Sequence, residues 1–277
     1  MNALEIKNLT KHYKDFTLDN ISLTLPGGCI LGLIGENGAG KTTALKLMTG
    51  MIKKDGGLIS VLGKDENSII KDDIGIVTDD IGISGCLSAL KLEKILKRIY
   101  KNWDSGRFHS LLAKLSVPDN KIFSELSLGT KKKLAIAAAL SHNAKLLIFD
   151  EATSGLDPIV RDEVTDILSD FTRSEEHSVL ISSHIVSDLE KICDYIAFIH
   201  KGRLLLFEEK DRLYEKYALI RCGIDELSLI DSSSVIGKRV NNYGAEAIIL
   251  KDKAPIGANL SPIDIEKLFI FMVKEID

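Results

Sequence analysis

The sequence predicts an α/β fold, and three observations carry that expectation. "CILGLIG" (residues 29–35) is a short continuous apolar run, followed by a glycine-rich loop and a helical stretch, "KTTALKLMTG". Such a run marks a strand buried on both faces. "KLLIFDE" and "SVLISSH" are two more strand runs, separated by the helical "IVRDEVTDILSDF". A strand–helix–strand unit implies a parallel sheet. Around this core the pattern predicts an antiparallel strand-rich part, a helical lobe and a small C-terminal α+β lobe.

Taken in order, "ALEIKNL" alternates apolar and polar residues, and so does "TLDNISLTL" through Leu18, Ile21, Leu23 and Leu25. Both read as strands with one face buried. Pro26, Gly27 and Gly28 make a turn before the buried run. Gly50 closes the helix that follows the glycine-rich loop. From about 80 to 145 the spacing becomes helical. Leu92, Ile95, Leu96 and Ile99 share one face of "ALKLEKILKRIY", "RFHSLLAKL" is a second piece, and "SELSLGTKKKLAIAAAL" is a third. "YIAFIHKGRLLLF" reads as a hairpin turning at Lys201–Gly202. From about residue 208 the pattern weakens. "YALIRCG" and "AEAIILK" are expected as strands. "SPIDIEKLFIFMVKEI" is expected as a helix with Ser261 as N-cap, Pro262 first, and Ile265, Leu268, Phe269 and Met272 buried.

Composition narrows the classes. The 277 residues allow one large domain or two modest ones, and 45% hydrophobic with 27% charged residues fits a globular core. A net charge of −4 gives no basic balance for nucleic acid. No apolar run approaches a membrane span, and "MNALEIKNLTKHYKD" is not expected to be a secretory signal. Cys29, Cys86, Cys193 and Cys222 are scattered without metal-ligand spacing and read as isolated thiols.

"GENGAGKT" comprises Gly35, Glu36, Asn37, Gly38, Ala39, Gly40, Lys41 and Thr42, with Thr43 following. It matches a phosphate-binding loop and has the required strand before it and helix after it. Backbone N–H groups of such a turn converge on a polyphosphate, and the helix N-terminus adds a favourable dipole. Lys41 would reach the terminal phosphates and Thr42 a Mg²⁺ ion. "LLIFDE" ends a strand in two acids. Beside a phosphate loop, Asp150 would orient Mg²⁺ and Glu151 would polarise the attacking water. His184 ends the next strand run, at the same sheet edge, where it would meet the γ-phosphate.

These motifs, with "LSLGT" (residues 126–130) and "SGLD" (Ser154 to Asp157), resemble an ATP-binding cassette (ABC) ATPase subunit in both order and spacing. The resemblance covers roughly residues 1–207, with the helical lobe at about 80–145, and leaves 208–277 as an accessory lobe. It implies a P-loop NTPase core that binds ATP and Mg²⁺. It also implies that Ser127 and Gly129 meet the γ-phosphate held by a second cassette, and that Tyr13 stacks on the adenine. Lys131 to Lys133 read either as added positive field or as a solvated face. Two departures stand out. Leu128 and Thr130 replace the Gly and Gln of the family's usual Leu-Ser-Gly-Gly-Gln. Asp79 stands where the family has a Gln after "IGIV", and is expected to contact the metal through water, as a carboxylate can.

The layout resembles bacterial exporter cassettes. It implies a homodimer or paralogue pair on a separate membrane-spanning permease, whose cytoplasmic helix would dock near residues 79–100. The subunit would then be cytoplasmic and peripheral on the inner face of the membrane, with no nucleic-acid partner. The rival readings are a soluble ABC ATPase acting on nucleic acid or ribosomes, and a regulatory cassette of low activity.

Overall fold

Alternating apolar residues build the first two strands, β1 (Asn2–His12) and β2 (Thr17–Pro26), which pair antiparallel. Their inward residues, among them Leu4, Ile6, Leu9, Leu18, Ile21 and Leu25, are almost completely buried. After the turn at Gly28, with φ of 79°, comes β3 (Ile30–Ile34), buried along its whole length. The helix α1 (Lys41–Met48) follows, then β4 (Gly56–Val61), β5 (Lys64–Asp65) and β6 (Ile74–Val77). The computed structural model describes residues 1–65 and 71–276.

Three helices form the next stretch: α2 (Ala89–Ile99), α3 (Ser105–Lys114) and α4 (Leu128–Ala139). Each has an oxygen-bearing N-cap, Ser88, Asp104 and Ser127, that accepts from a first-turn N–H. The face expected on α2 is only partly covered. Leu92 is buried, while Ile95 and Ile99 are exposed. The parallel core resumes with β7 (Leu146–Asp150), α5 (Pro158–Phe171), β8 (Ser178–Ser183), α6 (Val186–Ile192) and β9 (Tyr195–His200). The hairpin to β10 (Arg203–Glu209) turns at Lys201 and Gly202, both with positive φ.

Among the described residues, ten strands form one sheet in the order β5-β4-β1-β2-β10-β9-β3-β8-β7-β6. Strand β3 pairs parallel with β8 and β9, and β7 pairs parallel with β6 and β8. The register sets Ile34 beside Ser183, Asp150 beside Ser182 and Val77 beside Phe149. The loops leaving β3, β6, β7 and β8 therefore emerge at one edge, the carboxyl end of the parallel strands, where open α/β sheets carry their ligands. Core strand residues such as Phe149 and Phe198 are wholly buried, each contributing about 1.5–3 kcal/mol.

The chain divides into two compact units, Met1–Leu204 and Leu205–Asp277. The second contains α7 (Lys210–Lys216), β11 (Tyr217–Cys222), α8 (Ile224–Ser228), β12 (Val235–Asn241), β13 (Gly244–Leu250), β14 (Leu260–Ser261) and α9 (Ile265–Ile276). Its antiparallel sheet runs β12-β13-β11-β14, and α9 packs against β12 and β13. Here the sequence expectation needs correcting. Ser261 does not cap α9, because it lies in β14 opposite Leu219. Asp264 is the capping residue, its Oδ1 accepting from Lys267 N at 2.6 Å. Ile265, Leu268 and Phe269 are buried as expected, but Met272 is only half-buried, and Phe271 and Val273 are buried in addition.

Candidate functional site

The start of α1 differs from the starts of α2 to α4. Its N-cap is Gly40, in the left-handed region at φ 110°, and no side chain caps the helix. A Cβ there would also meet Phe16 Cζ at 2.8 Å, so the position demands glycine. The first-turn N–H groups of a helix have no intrahelical acceptor. With no side-chain cap, those of α1 are left to whatever enters the cleft beside them. Gly35 is constrained from the other side, since a Cβ would lie 2.5 Å from the Ile199 carbonyl. At Gly38, by contrast, an added Cβ would meet nothing within 4 Å. The concave side of the loop is open.

A cleft of about 390 Å³ lies over this loop. Its walls are Phe16, Glu36, Asn37, Gly38, Gly40, Lys41, Thr42, Thr43, Asp79 and Glu151. Lys41 is 6% exposed, and its ammonium donates to the carbonyls of Gly35 at 2.6 Å and Glu36 at 3.3 Å. It also stands 3.3 Å from Glu151 Oε1, an ion pair without hydrogen-bond geometry. Lysine and carboxylate meet here as a charge pair, and a polyphosphate would offer the ammonium competing anionic oxygens. An open glycine cradle, an uncapped helix start and a buried ammonium at its base fit a nucleotide phosphate.

Glu151 is fixed from several sides. It follows β7 with φ of 50°, a left-handed conformation that costs a non-glycine residue on the order of 1–3 kcal/mol. Its N–H donates to Ser182 O and to Ser182 Oγ, each at 3.2 Å. Its Oε2 lies 2.7 Å from His184 Nδ1. Asp150, 4% exposed, accepts from Ser182 Oγ at 2.6 Å. Among the described residues no cluster of three or more His, Cys, Asp or Glu could hold a metal by itself. Thr42 lines the cleft, while Asp150 lies at the end of β7 outside its wall. A hydroxyl and a carboxylate are the donor types that suit Mg²⁺, which takes one or two protein ligands and completes its shell with phosphate and water.

The remaining expected residues divide. Ser127 caps α4, its Oγ accepting from Thr130 N at 3.2 Å and pairing with Thr130 Oγ1 at 2.8 Å. Gly129 has room, with the nearest atom to an added Cβ, Leu156 Cδ2, at 3.6 Å. Leu128 is 58% exposed. Tyr13 stands outside the cleft wall described above, half-exposed, with its ring centroid 6.5 Å from that of Phe16. The aromatic in the wall is Phe16, which carries no motif signal of its own. Asp79 does line the cleft, but its Oδ1 is engaged by Lys132 Nζ at 3.0 Å, which competes with the metal contact expected of it.

Lys132 is the residue that sequence reasoning read wrongly. The run of three lysines suggested either a positive field or a solvated face. Instead Lys131 lies over the Phe123 ring, 5.3 Å from its centroid, while Lys132 is 1% exposed and turns inward. No residue-type signal separates the two, since only the packing of α4 against the β7 loop decides which lysine is buried.

The chain resembles known proteins in both sequence and fold. The family model for ABC transporters matches residues 18–154. A lantibiotic transport ATP-binding protein, SrtF of Streptococcus pyogenes, is 37% identical over 211 residues, 75% of this chain and 91% of the relative. A bacitracin transport ATP-binding protein, BcrA of Enterococcus faecalis, is 36% identical, covering 73% of this chain and 68% of its own. Among solved structures, an ATP-binding subunit of an ABC transporter superposes with a TM-score of 0.69 at 22% identity, over 77% of this chain and 92% of that one. A dimeric ATP-binding cassette in a post-hydrolysis state with ADP and Pi gives 0.67 at 23%, over 75% and 98%. These last two show the same fold. With relatives this similar over most of their length, and with this phosphate cradle, the chain belongs to the ABC transporter family as an ATP-binding, ATP-hydrolysing subunit.

Proposed function

We propose that this subunit powers export through a separate membrane-spanning permease and works as one of a pair of cassettes. The observation that carries the reading is the convergence of Lys41, Glu151 and His184 at one sheet edge: 3.3 Å from lysine to carboxylate and 2.7 Å from carboxylate to imidazole. Bound Mg-ATP supplies the phosphoanhydride bond whose hydrolysis drives the cycle. Lys41, released from Glu151, holds the terminal phosphates. The loop from Gly35 to Gly40 and the first turn of α1, with Thr42 and Thr43, donate N–H groups to the others. Thr42 and Asp150 would hold Mg²⁺, and Asp79, its Oδ1 kept by Lys132, would reach the ion through water from its second oxygen. Glu151 polarises the attacking water, and His184 fixes that carboxylate and meets the γ-phosphate. Tyr13 stacks on the adenine beside Phe16, whose ring lines the cleft.

The pairing of cassettes rests on the start of α4. Ser127 is exposed and Gly129 half-buried at one helix end, where N–H groups would meet an anion held by the other cassette. Export rather than import rests on relatives named for lantibiotic and bacitracin transport. Among the described residues no helix is long and apolar enough to cross a membrane, so the membrane part belongs to another chain on this reading. An apolar cavity of about 160 Å³ beside α2, lined by Ile81, Ile83, Leu92 and Leu96 among others, takes the permease's cytoplasmic helix, with exposed Ile95 and Ile99 at hand. The subunit then sits peripherally on the inner face of the membrane, and residues 208–277 form an accessory lobe.

The direct test is steady-state ATP hydrolysis by the purified chain and by Glu151→Gln. Removing a general base is expected to lower kcat by about 10²–10⁴-fold while Mg-ATP still binds. Hydrolysis unchanged in the variant would contradict the role given to Glu151.

A further inference from the structure

The side chain of Lys132 enters the protein between the loops that leave β6 and β7. A lysine this buried must find partners for its ammonium. An ammonium has three donors, and three acceptors are present: Glu151 O at 2.8 Å, Ser154 O at 2.9 Å and Asp79 Oδ1 at 3.0 Å. The set is complete. Two of the three are backbone carbonyls at either end of the short turn from Glu151 to Ser154, which is closed by Ser154 N donating to Glu151 O at 3.1 Å. That turn begins with Glu151 in the left-handed region and is followed by Gly155 at φ 75°. Strained backbone persists only where its surroundings over-determine it.

We infer that Lys132 is a positioning residue for hydrolysis: by clamping the carbonyls of Glu151 and Ser154 it holds Glu151 in the conformation that aims its carboxylate at Lys41 and His184. The third partner, Asp79, is 70% exposed at the cleft, so it balances the ammonium while its other side stays in solvent. The ammonium thereby ties the helix that begins at Ser127 to the turn that carries Glu151. The inference rests on the reading of Glu151 as the group that polarises water.

The test uses the full chain and follows single-turnover hydrolysis of radiolabelled Mg-ATP, KM, and the number of ATP sites per mole by calorimetry. Lys132→Met removes all three donors. It is expected to lower the hydrolysis rate about tenfold or more, because small misplacements of a catalytic group have large effects, with KM within about twofold and a full complement of ATP sites. Lys132→Gln keeps an amide that can still donate to both carbonyls, and is expected to recover the rate to within about threefold of wild type. In a Glu151→Gln background, Lys132→Met should add no further loss, as for residues acting as a unit. Wild-type rates in Lys132→Met, equal losses in the Met and Gln variants, a loss matched by missing ATP sites, or a further tenfold loss on top of Glu151→Gln would each overturn the inference. Full hydrolysis by Glu151→Gln alone would instead remove the underlying reading of Glu151, whatever the lysine variants do.

Discussion

Two helix starts in this protein look alike in sequence and behave differently in structure. The helices α1 and α4 both open on glycine and hydroxyl residues with lysine close by. At α1 the N-cap is a left-handed glycine, no side chain accepts from the first turn, and Lys41 is turned into the cleft. At α4 the cap is Ser127, Thr130 supplies a second hydroxyl, and the buried lysine, Lys132, spends its ammonium on the carbonyls of Glu151 and Ser154. The first start is built to be completed by a ligand within its own subunit. The second already satisfies part of its own hydrogen bonding, and on the proposed pairing it meets an anion brought by another cassette. Glycine content alone does not distinguish them; the position of the lysine and the presence of a cap do.

Changes at α1 should have the larger effects. Lys41→Ala is expected to reduce hydrolysis about 10²-fold or more, by loss of the charge that meets the transferring phosphoryl group, measured as kcat per folded molecule. Gly40→Ala combines a forbidden φ with a contact to Phe16 at 2.8 Å and should cost about 1–3 kcal/mol in denaturant unfolding. The matching change at α4, Gly129→Ala, meets only ordinary contacts and should leave stability unchanged or raise it by up to about 1 kcal/mol. If both glycines proved equally costly, the contrast would be wrong. Ser127→Ala removes the α4 cap and should cost about 1 kcal/mol of stability.

The smallest effect is expected beyond the far end of α4. There His142 stacks on Tyr100 with ring centroids 4.1 Å apart, and Nε2 lies 3.1 Å from Ile74 O. Burial pushes its pKa below the ordinary 6.5, although the neighbouring carbonyls pull the other way. A depressed pKa means that the unfolded chain binds the proton first. The contribution to stability is therefore complete above 6.5 and is lost as pH falls from there through the lower folded value. Thermal unfolding of wild type from about pH 7.5 to about pH 5 should fall more steeply than that of His142→Gln.

Much of this was legible in the sequence because it is local. The phosphate loop is a contiguous motif between a strand and a helix. The strands β3, β7 and β8 are apolar runs, and Asp150, Glu151 and His184 sit at their carboxyl ends, so a parallel sheet brings them to one edge. What failed was decided by packing between distant segments. Ser261-Pro262 carries a helix-start signal, but pairing with Leu219 drew Ser261 into β14 and moved the cap to Asp264. Phe16 faces the cleft because Gly40 packs on its ring, a contact across more than twenty residues that no spacing rule reveals. Lys132 looked like one of three surface lysines until the β7 loop supplied carbonyls for it.

Whether α4 meets a nucleotide held by a second copy of this chain is tested most directly by the solution mass of Glu151→Gln, with and without Mg-ATP. Blocking hydrolysis should trap the ATP-bound state. The expected result is a monomer that becomes a dimer only when Mg-ATP is present. A variant that binds Mg-ATP with full occupancy yet keeps the monomer mass at high protein concentration would contradict closure of this chain on a second copy of itself.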